Sequence, residues 1–468
     1  VNRPTRNAAA AALALALAGC ASFSPDGGMG DVRKLAEDRA GAPVRVLAQA
    51  GDEATAKAEV AKRLAAPLTA DSAVEIALLN QPAFKARLAE LGVAEADLVQ
   101  AGRLRNPVFA YSNKRNADVQ AIERTLLVNV ASLVLMPLAL DIESRRYEQA
   151  KVAAAIGVLD AAAEARQAFY RAVAAQEMLI YYEQVQLAAE ASSELARRMQ
   201  QVGNWSRLSR MREQAFYADA TAQLARAQQS ALAEREKLAR LLGVADARAF
   251  TLPARLPDPP AAPLAIANAE QVAMDRRLDV QMARLDSEGV AKALGLTKTT
   301  RFVNLLEVGY TNESESGEAR KDGYEIELEL PLFDWGDARV ARAQARYRQA
   351  LARTAGVAVD ARSEVREAYA AYRTAYDLAR HYRDEIVPLR KRIAEETLLR
   401  YNGMLIGVFE LLADAREQIG SVNAAIAATR DYWLAESMLQ LALTGKSPGA
   451  SLAMDAGASA PAASAGGH

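Results

Sequence analysis

The chain has one cysteine and two histidines in 468 residues. A lone cysteine, Cys20, excludes an intramolecular disulfide and a thiolate metal cluster. His381 and His468 are too few for an imidazole-based zinc or copper site, and His381 reads as an ordinary helix residue. No Ser/His/Asp set and no Gly-rich phosphate loop is present, so the sequence offers no catalytic residues, no metal ligands and no cofactor site, and an enzyme is not expected. Charge of one sign is missing too. Lys+Arg is 57 against Asp+Glu 58, which leaves a net charge of -1 and no basic face for nucleic acid. Long apolar runs are also missing: none reaches the roughly 18 uninterrupted residues of a membrane helix. Aromatics are 6% of the chain, and glycine and proline are sparse through its middle. What remains is alanine-rich and helix-forming, with small side chains suited to close helix contacts.

The first twenty residues read VNRPTRNAAAAALALALAGC. Arg3 and Arg6 make a positive start, and Ala8 to Ala18 a short apolar stretch. The segment ends Leu17-Ala18-Gly19-Cys20 and resembles a bacterial lipoprotein signal, with residues 1–19 removed and Cys20 lipidated. Ala21, rather than Asp, follows the cysteine. In the lipoprotein sorting pattern this favours the outer membrane. Residues 20–66 read as a tether with one short helix at Asp52–Leu64.

Two halves then follow one grammar, residues 67–250 and 264–446, joined by the proline-rich linker 251–263. A period of about 200 residues marks a duplication rather than a solenoid. In the first half, Thr69 or Asp71 caps a helix that is interrupted near Asn80-Gln81-Pro82 and runs to about Leu104. A strand is expected over Val108–Asn113, a polar loop over Lys114–Gln120 and an apolar strand over Glu123–Met136, closed by Pro137. A long helix is expected from Ile142 to Gln200, a turn at Gly203-Asn204 and a helix from Ser206 to Leu242. The second half repeats this with a helix pair over Leu264–Leu296, strands over Arg301–Tyr310 and Tyr324–Leu330, and a polar loop over Thr311–Gly323. Its long helix runs from about Trp335 to Arg400, turns at Asn402-Gly403 and returns to about Leu443. The tail 447–468 is low-complexity and reads as disordered.

The stretch Val340–Arg400 carries a helical seam of Val365, Tyr369, Tyr372, Tyr376, Ala379, Ile386, Leu389 and Ile393. As one helix it would run roughly 90 Å, the length of a strut or tube stave rather than of a compact domain. Its tyrosine stripe reads as helix packing. Pro388 is its expected bend. The strand Tyr324–Leu330 alternates strictly, with apolar side chains on one face and Glu325, Glu327 and Glu329 on the other. A soluble sheet with one wet face and a membrane barrel both fit that alternation. Four strands cannot close a barrel, so membrane strands here require several chains.

At this point the order and the local motifs resemble the TolC-like outer membrane efflux proteins. The motifs are Leu68-Thr69 through Leu79-Asn80-Gln81-Pro82, Leu328-Glu329-Leu330-Pro331-Leu332-Phe333-Asp334-Trp335-Gly336, and Arg400-Tyr401-Asn402-Gly403 followed by Phe409-Glu410-Leu411-Leu412-Ala413-Asp414-Ala415. Together the resemblance covers about Leu68 to Thr444. It implies a mainly helical chain with a membrane β-barrel, assembled as a homotrimer with a twelve-strand barrel and an α-helical periplasmic tunnel. It implies a periplasmic adaptor protein and an inner-membrane pump as partners, with outer-membrane lipid around the barrel. The chain would then be the duct, powered by the pump. The competing expectation is a periplasmic adaptor-type lipoprotein, which would carry one helical hairpin rather than two.

The resemblance also nominates residues. Glu410 and Asp414, one helical turn apart, are candidates for the pore mouth. Glu307, Glu325, Glu327 and Glu329 are candidates for the barrel lumen. The turns at Gly203-Asn204 and Asn402-Gly403 are candidates for adaptor contact, with glycine permitting a left-handed backbone.

Overall fold

The computed structural model describes residues 22–40, 53–116, 119–300, 306–328 and 332–446. Cys20, Glu329, Pro331 and the tail from 447 lie outside the described residues. In chain order the elements are α1 (Met29–Ala40), α2 (Glu53–Leu64), α3 (Ala70–Asn80), α4 (Pro82–Ala101), β1 (Val108–Arg115), β2 (Gln120–Asn129), α5 (Val130–Gln201) and α6 (Arg207–Leu242). The second half gives α7 (Ala269–Arg276), α8 (Leu278–Thr299), β3 (Leu306–Glu315), β4 (Lys321–Leu328), α9 (Asp337–His381), a π-helical turn (Tyr382–Ile386), α10 (Val387–Asn402) and α11 (Val408–Thr444). The expected order, helix pair, hairpin, long helix, turn and helix, occurs twice. Among the described residues no helix is long and apolar enough to cross a membrane.

The chain divides into two compact units. The first gathers residues up to 32, 86–154 and 280–358. It holds one antiparallel sheet of order β1-β2-β3-β4, in which the two hairpins pair through β2 and β3. Among the described residues, both outer strands, β1 and β4, leave an edge open. In this unit the segment after residue 21 is docked rather than loose. Ser24 donates from its N–H at 2.6 Å and its hydroxyl at 2.5 Å to Glu95 Oε1. Lys151 Nζ reaches Asp31 and Glu148, each at 2.8 Å. Helix α1 was not anticipated from the sequence, whose Gly, Asp and Lys content hid it.

The second unit gathers 33–85, 155–279 and the chain from 359. Thr69 caps α3 by accepting from the Ser72 N–H at 3.1 Å, while its own N–H donates to Ser72 Oγ at 2.8 Å. The core carries the predicted seam: Val365, Tyr372, Tyr376 and Ala379 are buried together with Tyr432 and Leu439. The tyrosines do more than fill space. Tyr376 Oη donates toward the carbonyls of Pro260 and Ala261, at 3.0 and 2.9 Å, and Tyr372 Oη accepts from the Leu264 N–H at 2.7 Å. Trp433 Nε1 donates to the Pro257 carbonyl at 2.9 Å. The proline-rich segment is therefore a fastened strap, its lack of N–H donors leaving carbonyls for side chains to hold. Leu256 N–H also donates to Glu177 Oε2 at 2.9 Å; burial pushes the Glu177 carboxyl up, and that bond pulls it partly back.

Several boundaries differ from expectation. The apolar run after Glu123 leaves the sheet at Asn129, and α5 begins at Val130 with Pro137 inside it. Asn129 caps the helix, accepting from the Ser132 N–H at 2.7 Å. A short β-branched run is ambiguous between strand and helix, and here the cap decides it. Strands β1, β3 and β4 extend to Arg115, Glu315 and back to Lys321, so the polar loops are shorter than hydropathy suggested. Residues polar on both faces still pair through their backbones. The π-helical turn precedes Pro388, and Val387 N–H bonds to the Tyr382 carbonyl. Pro388 has no N–H and its ring would crowd the carbonyl four residues back, so a widened turn accommodates it. Past that turn the seam surfaces: Leu389 and Ile393 are exposed within the chain.

Candidate duct face and hairpin tips

Paired residues in an antiparallel sheet share a face, so the register sorts every strand side chain. One face carries Phe109, Leu126, Tyr310 and Tyr324 in one row, and Val128, Val308 and Ile326 in the next. The row beyond holds Leu306 and Leu328. These residues stand in solvent in the single chain; Tyr324 is 87% exposed. Below them Leu332, Phe333 and Trp335 are exposed as well, Phe333 at 99%. The other face carries Glu307 directly opposite Glu327, and Glu325 opposite Gly309. Three of the four predicted lumen glutamates therefore share one face, while Glu329 lies outside the described residues. Asn129 Nδ2 donates to Glu307 Oε1 at 3.1 Å. The same face also holds Glu123, Glu313 and Glu315 with Lys114 and Lys321, which sequence reasoning passed over because their strand limits were misplaced. At Gly309 a Cβ would stand 2.8 Å from Leu127 Cδ2, so that side chain would have to shift.

The two helical turns are built alike but not from matching residues. In the first, Gly203 adopts φ 80 and the Asn204 N–H returns to the Met199 carbonyl at 2.9 Å. In the second, the Leu405 N–H returns to the Arg400 carbonyl at 2.9 Å, and the left-handed residue is Met404, φ 58, not Gly403, φ -78. Glycine identity had suggested Gly403. The hydrogen-bond pattern places the strained position one residue later, on a side chain that is 93% exposed. Trp205 and Phe409 bring the two turns side by side, with ring centroids 5.6 Å apart. Val202, Leu208, Met211 and Leu405 are exposed around them.

The predicted mouth pair separates in role. Glu410 is exposed and lines a groove with Arg392, Glu396 and Arg400. Asp414 is half-buried, and its Oδ2 meets no donor among the described residues. Close by, Glu213 is buried between Ser192 Oγ at 2.8 Å and Arg416 Nη2 at 3.5 Å, a contact between the two helical hairpins that the sequence gave no means of pairing.

Residues 270–444 match the family model described as outer membrane efflux protein. Over that segment, in its second half, the chain is similar to the outer membrane efflux proteins. Solved structures share its fold. Against the outer membrane channel CmeC of Campylobacter jejuni the TM-score is 0.70 at 15% identity, over 80% of this chain and 85% of that one. Against the outer membrane protein VceC of Vibrio cholerae it is 0.66 at 16%, over 81% and 96%. The MtrE outer membrane channel of Neisseria gonorrhoeae gives 0.66 at 17%, over 80% and 88%. No curated protein matches the chain by sequence. The chain thus has the fold of these outer membrane channels, and the adaptor reading finds no support.

Proposed function

We propose that this protein is the outer-membrane duct of a tripartite efflux system and works as a homotrimer. The carrying observation is a four-stranded sheet with one apolar and one acidic face and two open edges. An open edge in lipid leaves unpaired backbone groups costing several kcal/mol each, and three copies joined β4 to β1 remove every edge in a twelve-strand barrel. The exposed seam of α10 supports the same assembly, as stave contacts to neighbouring copies. Cys20 carries lipid that anchors the chain to the outer membrane. The turns at Gly203-Asn204 and Asn402-Gly403, together with Met404 and Leu405, receive a periplasmic adaptor, which links the duct to an inner-membrane pump. The chain contributes no chemistry; the pump supplies the energy. Pro388 and the π-helical turn before it bend the stave toward the mouth. The proposed domain limits are 1–19, 20–66, 67–250, 251–263, 264–446 and 447–468.

Purified from outer membranes, the protein should run as a heat-modifiable trimer and give stepwise conductance in planar bilayers. A monomer released with the inner membrane would refute the reading.

Glu410 and Asp414 are proposed to line the mouth. Three copies of each would favour cations. Glu410→Ala and Asp414→Ala should each lower the cation preference of bilayer conductance, Glu410→Ala more strongly because it is the exposed member. Unchanged ion selectivity in both variants removes them from the pore.

A further inference from the structure

The charges of the sheet are segregated by face. The acidic face holds Glu123, Glu307, Glu313, Glu315, Glu325 and Glu327 with Lys114 and Lys321. The apolar face holds Arg115, Arg124 and Asp322. Every glutamate of the described strands thus faces one way, and both arginines the other. The arginines also have a set height. Tyr111, Arg124, Asn312 and Asp322 form one row across all four strands. That row lies immediately beyond Phe109, Leu126, Tyr310 and Tyr324, where the apolar rows end. Arg115 follows four residues further out, opposite Gln120.

The single acid of this face is occupied. Asp322 Oδ1 accepts from Tyr310 Oη at 2.8 Å and from Asn312 Nδ2 at 2.7 Å. Asn312 Oδ1 in turn accepts from Arg124 Nη1 at 3.0 Å. That bond fixes the guanidinium on the sheet while using one of its five donors. The layering of aliphatic side chains, aromatic rings and then a held guanidinium is the profile of a protein surface leaving hydrocarbon for headgroups. Beyond β4, Phe333 and Trp335 are a second exposed aromatic pair.

We infer that Arg124 and Arg115 bind the phosphate of anionic lipid headgroups at the outer boundary of the membrane, and so fix the depth at which the sheet sits. The inference rests on the membrane-duct reading above and adds a ligand class and a site to it. The phosphate takes the remaining guanidinium donors of Arg124, in line with the preference of arginine for phosphate oxygens. Asp322 is held by Tyr310 and Asn312, and Asn312 stands between it and Arg124.

The test uses the full-length protein in phosphatidylcholine vesicles doped with spin-labelled phosphatidylglycerol or spin-labelled phosphatidylcholine. Electron spin resonance reports the motionally restricted lipid. Wild type should prefer phosphatidylglycerol. Arg124→Gln should lower that preference about fivefold, the factor for one cationic side chain at a membrane surface, and Arg115→Gln/Arg124→Gln should abolish it. Lys114→Gln removes the same charge on the opposite face and should leave the preference intact. Equal loss in Lys114→Gln, or no loss in the arginine variants, overturns the inference. So does removal of the wild-type preference by inorganic phosphate, which would make the arginines a free-phosphate site. Absence of restricted lipid of either kind would instead refute the membrane placement of the sheet.

Discussion

Arg277→Met should destabilise the helical unit by about 3–5 kcal/mol, the cost of removing one partner from a buried ion pair. Arg277 is 2% exposed and is among the largest fully buried side chains of the protein. Its Nε donates to Asp279 Oδ1 at 3.0 Å and its Nη2 to Asp279 Oδ2 at 2.6 Å. Nη2 also reaches Glu364 Oε2 at 2.9 Å, and Nη1 the Ala442 carbonyl at 3.3 Å. One side chain thus joins the entry to α8, the middle of α9 and the last turn of α11. Burial opposes the charge, but Asp279 and Glu364 outweigh it and hold the guanidinium pKa above its ordinary value. Methionine fills similar volume but removes the guanidinium that Asp279 and Glu364 face. Arg277→Met/Asp279→Asn/Glu364→Gln should recover much of the loss, since replacing a whole buried ionic set is often close to neutral. Thermal unfolding of the detergent-solubilised protein, followed by circular dichroism, measures both. A single variant as stable as wild type would show the cluster to be dispensable.

That cluster marks the limit of what the sequence discloses. The repeat, the long helices, the Thr69 cap and the buried half of the seam at Val365–Ala379 were legible because they follow a 3.6-residue period or a local capping rule. The Arg277 cluster was not, because Glu364 and Ala442 lie far from Arg277 in the chain and each charge is unremarkable by itself. The same holds for Glu213 with Arg416. The strap at 251–263 read as a linker because proline signals a break but not what holds the carbonyls beyond it. The acidic face was half legible. Alternation over Glu325 and Glu327 gave one strand, but Glu123, Glu313 and Glu315 join it only once the β2–β3 register is known. The left-handed residue of the second turn was misplaced because glycine was taken as its marker, whereas the αL position falls on Met404. A repeat alignment on the turn hydrogen bonds, Asn204 to Met199 and Leu405 to Arg400, recovers it.

Glu307→Gln/Glu325→Gln/Glu327→Gln should lower the cation-over-anion permeability ratio by on the order of tenfold, the scale on which a charged, narrow cleft concentrates counter-ions. The acidic face of each sheet carries six glutamates against two lysines, and the triple variant leaves three glutamates. In a closed barrel this difference is multiplied by the number of copies, and the low-dielectric wall keeps the field in the water. Reversal potentials under a salt gradient read the ratio, and Asp322→Asn on the apolar face serves as the control that should not move it. The same triple variant should make the protein more resistant to heat. Glu307 stands directly opposite Glu327, and like charges so placed destabilise a strand pair by roughly 0.2–1 kcal/mol. A sheet chosen for stability alone would not keep that pair. Its retention is explained if the face must stay anionic toward water, so loss of selectivity and gain of stability should appear together. A variant that keeps its reversal potential would remove these glutamates from the ion path, and one that also melts lower would make them structural.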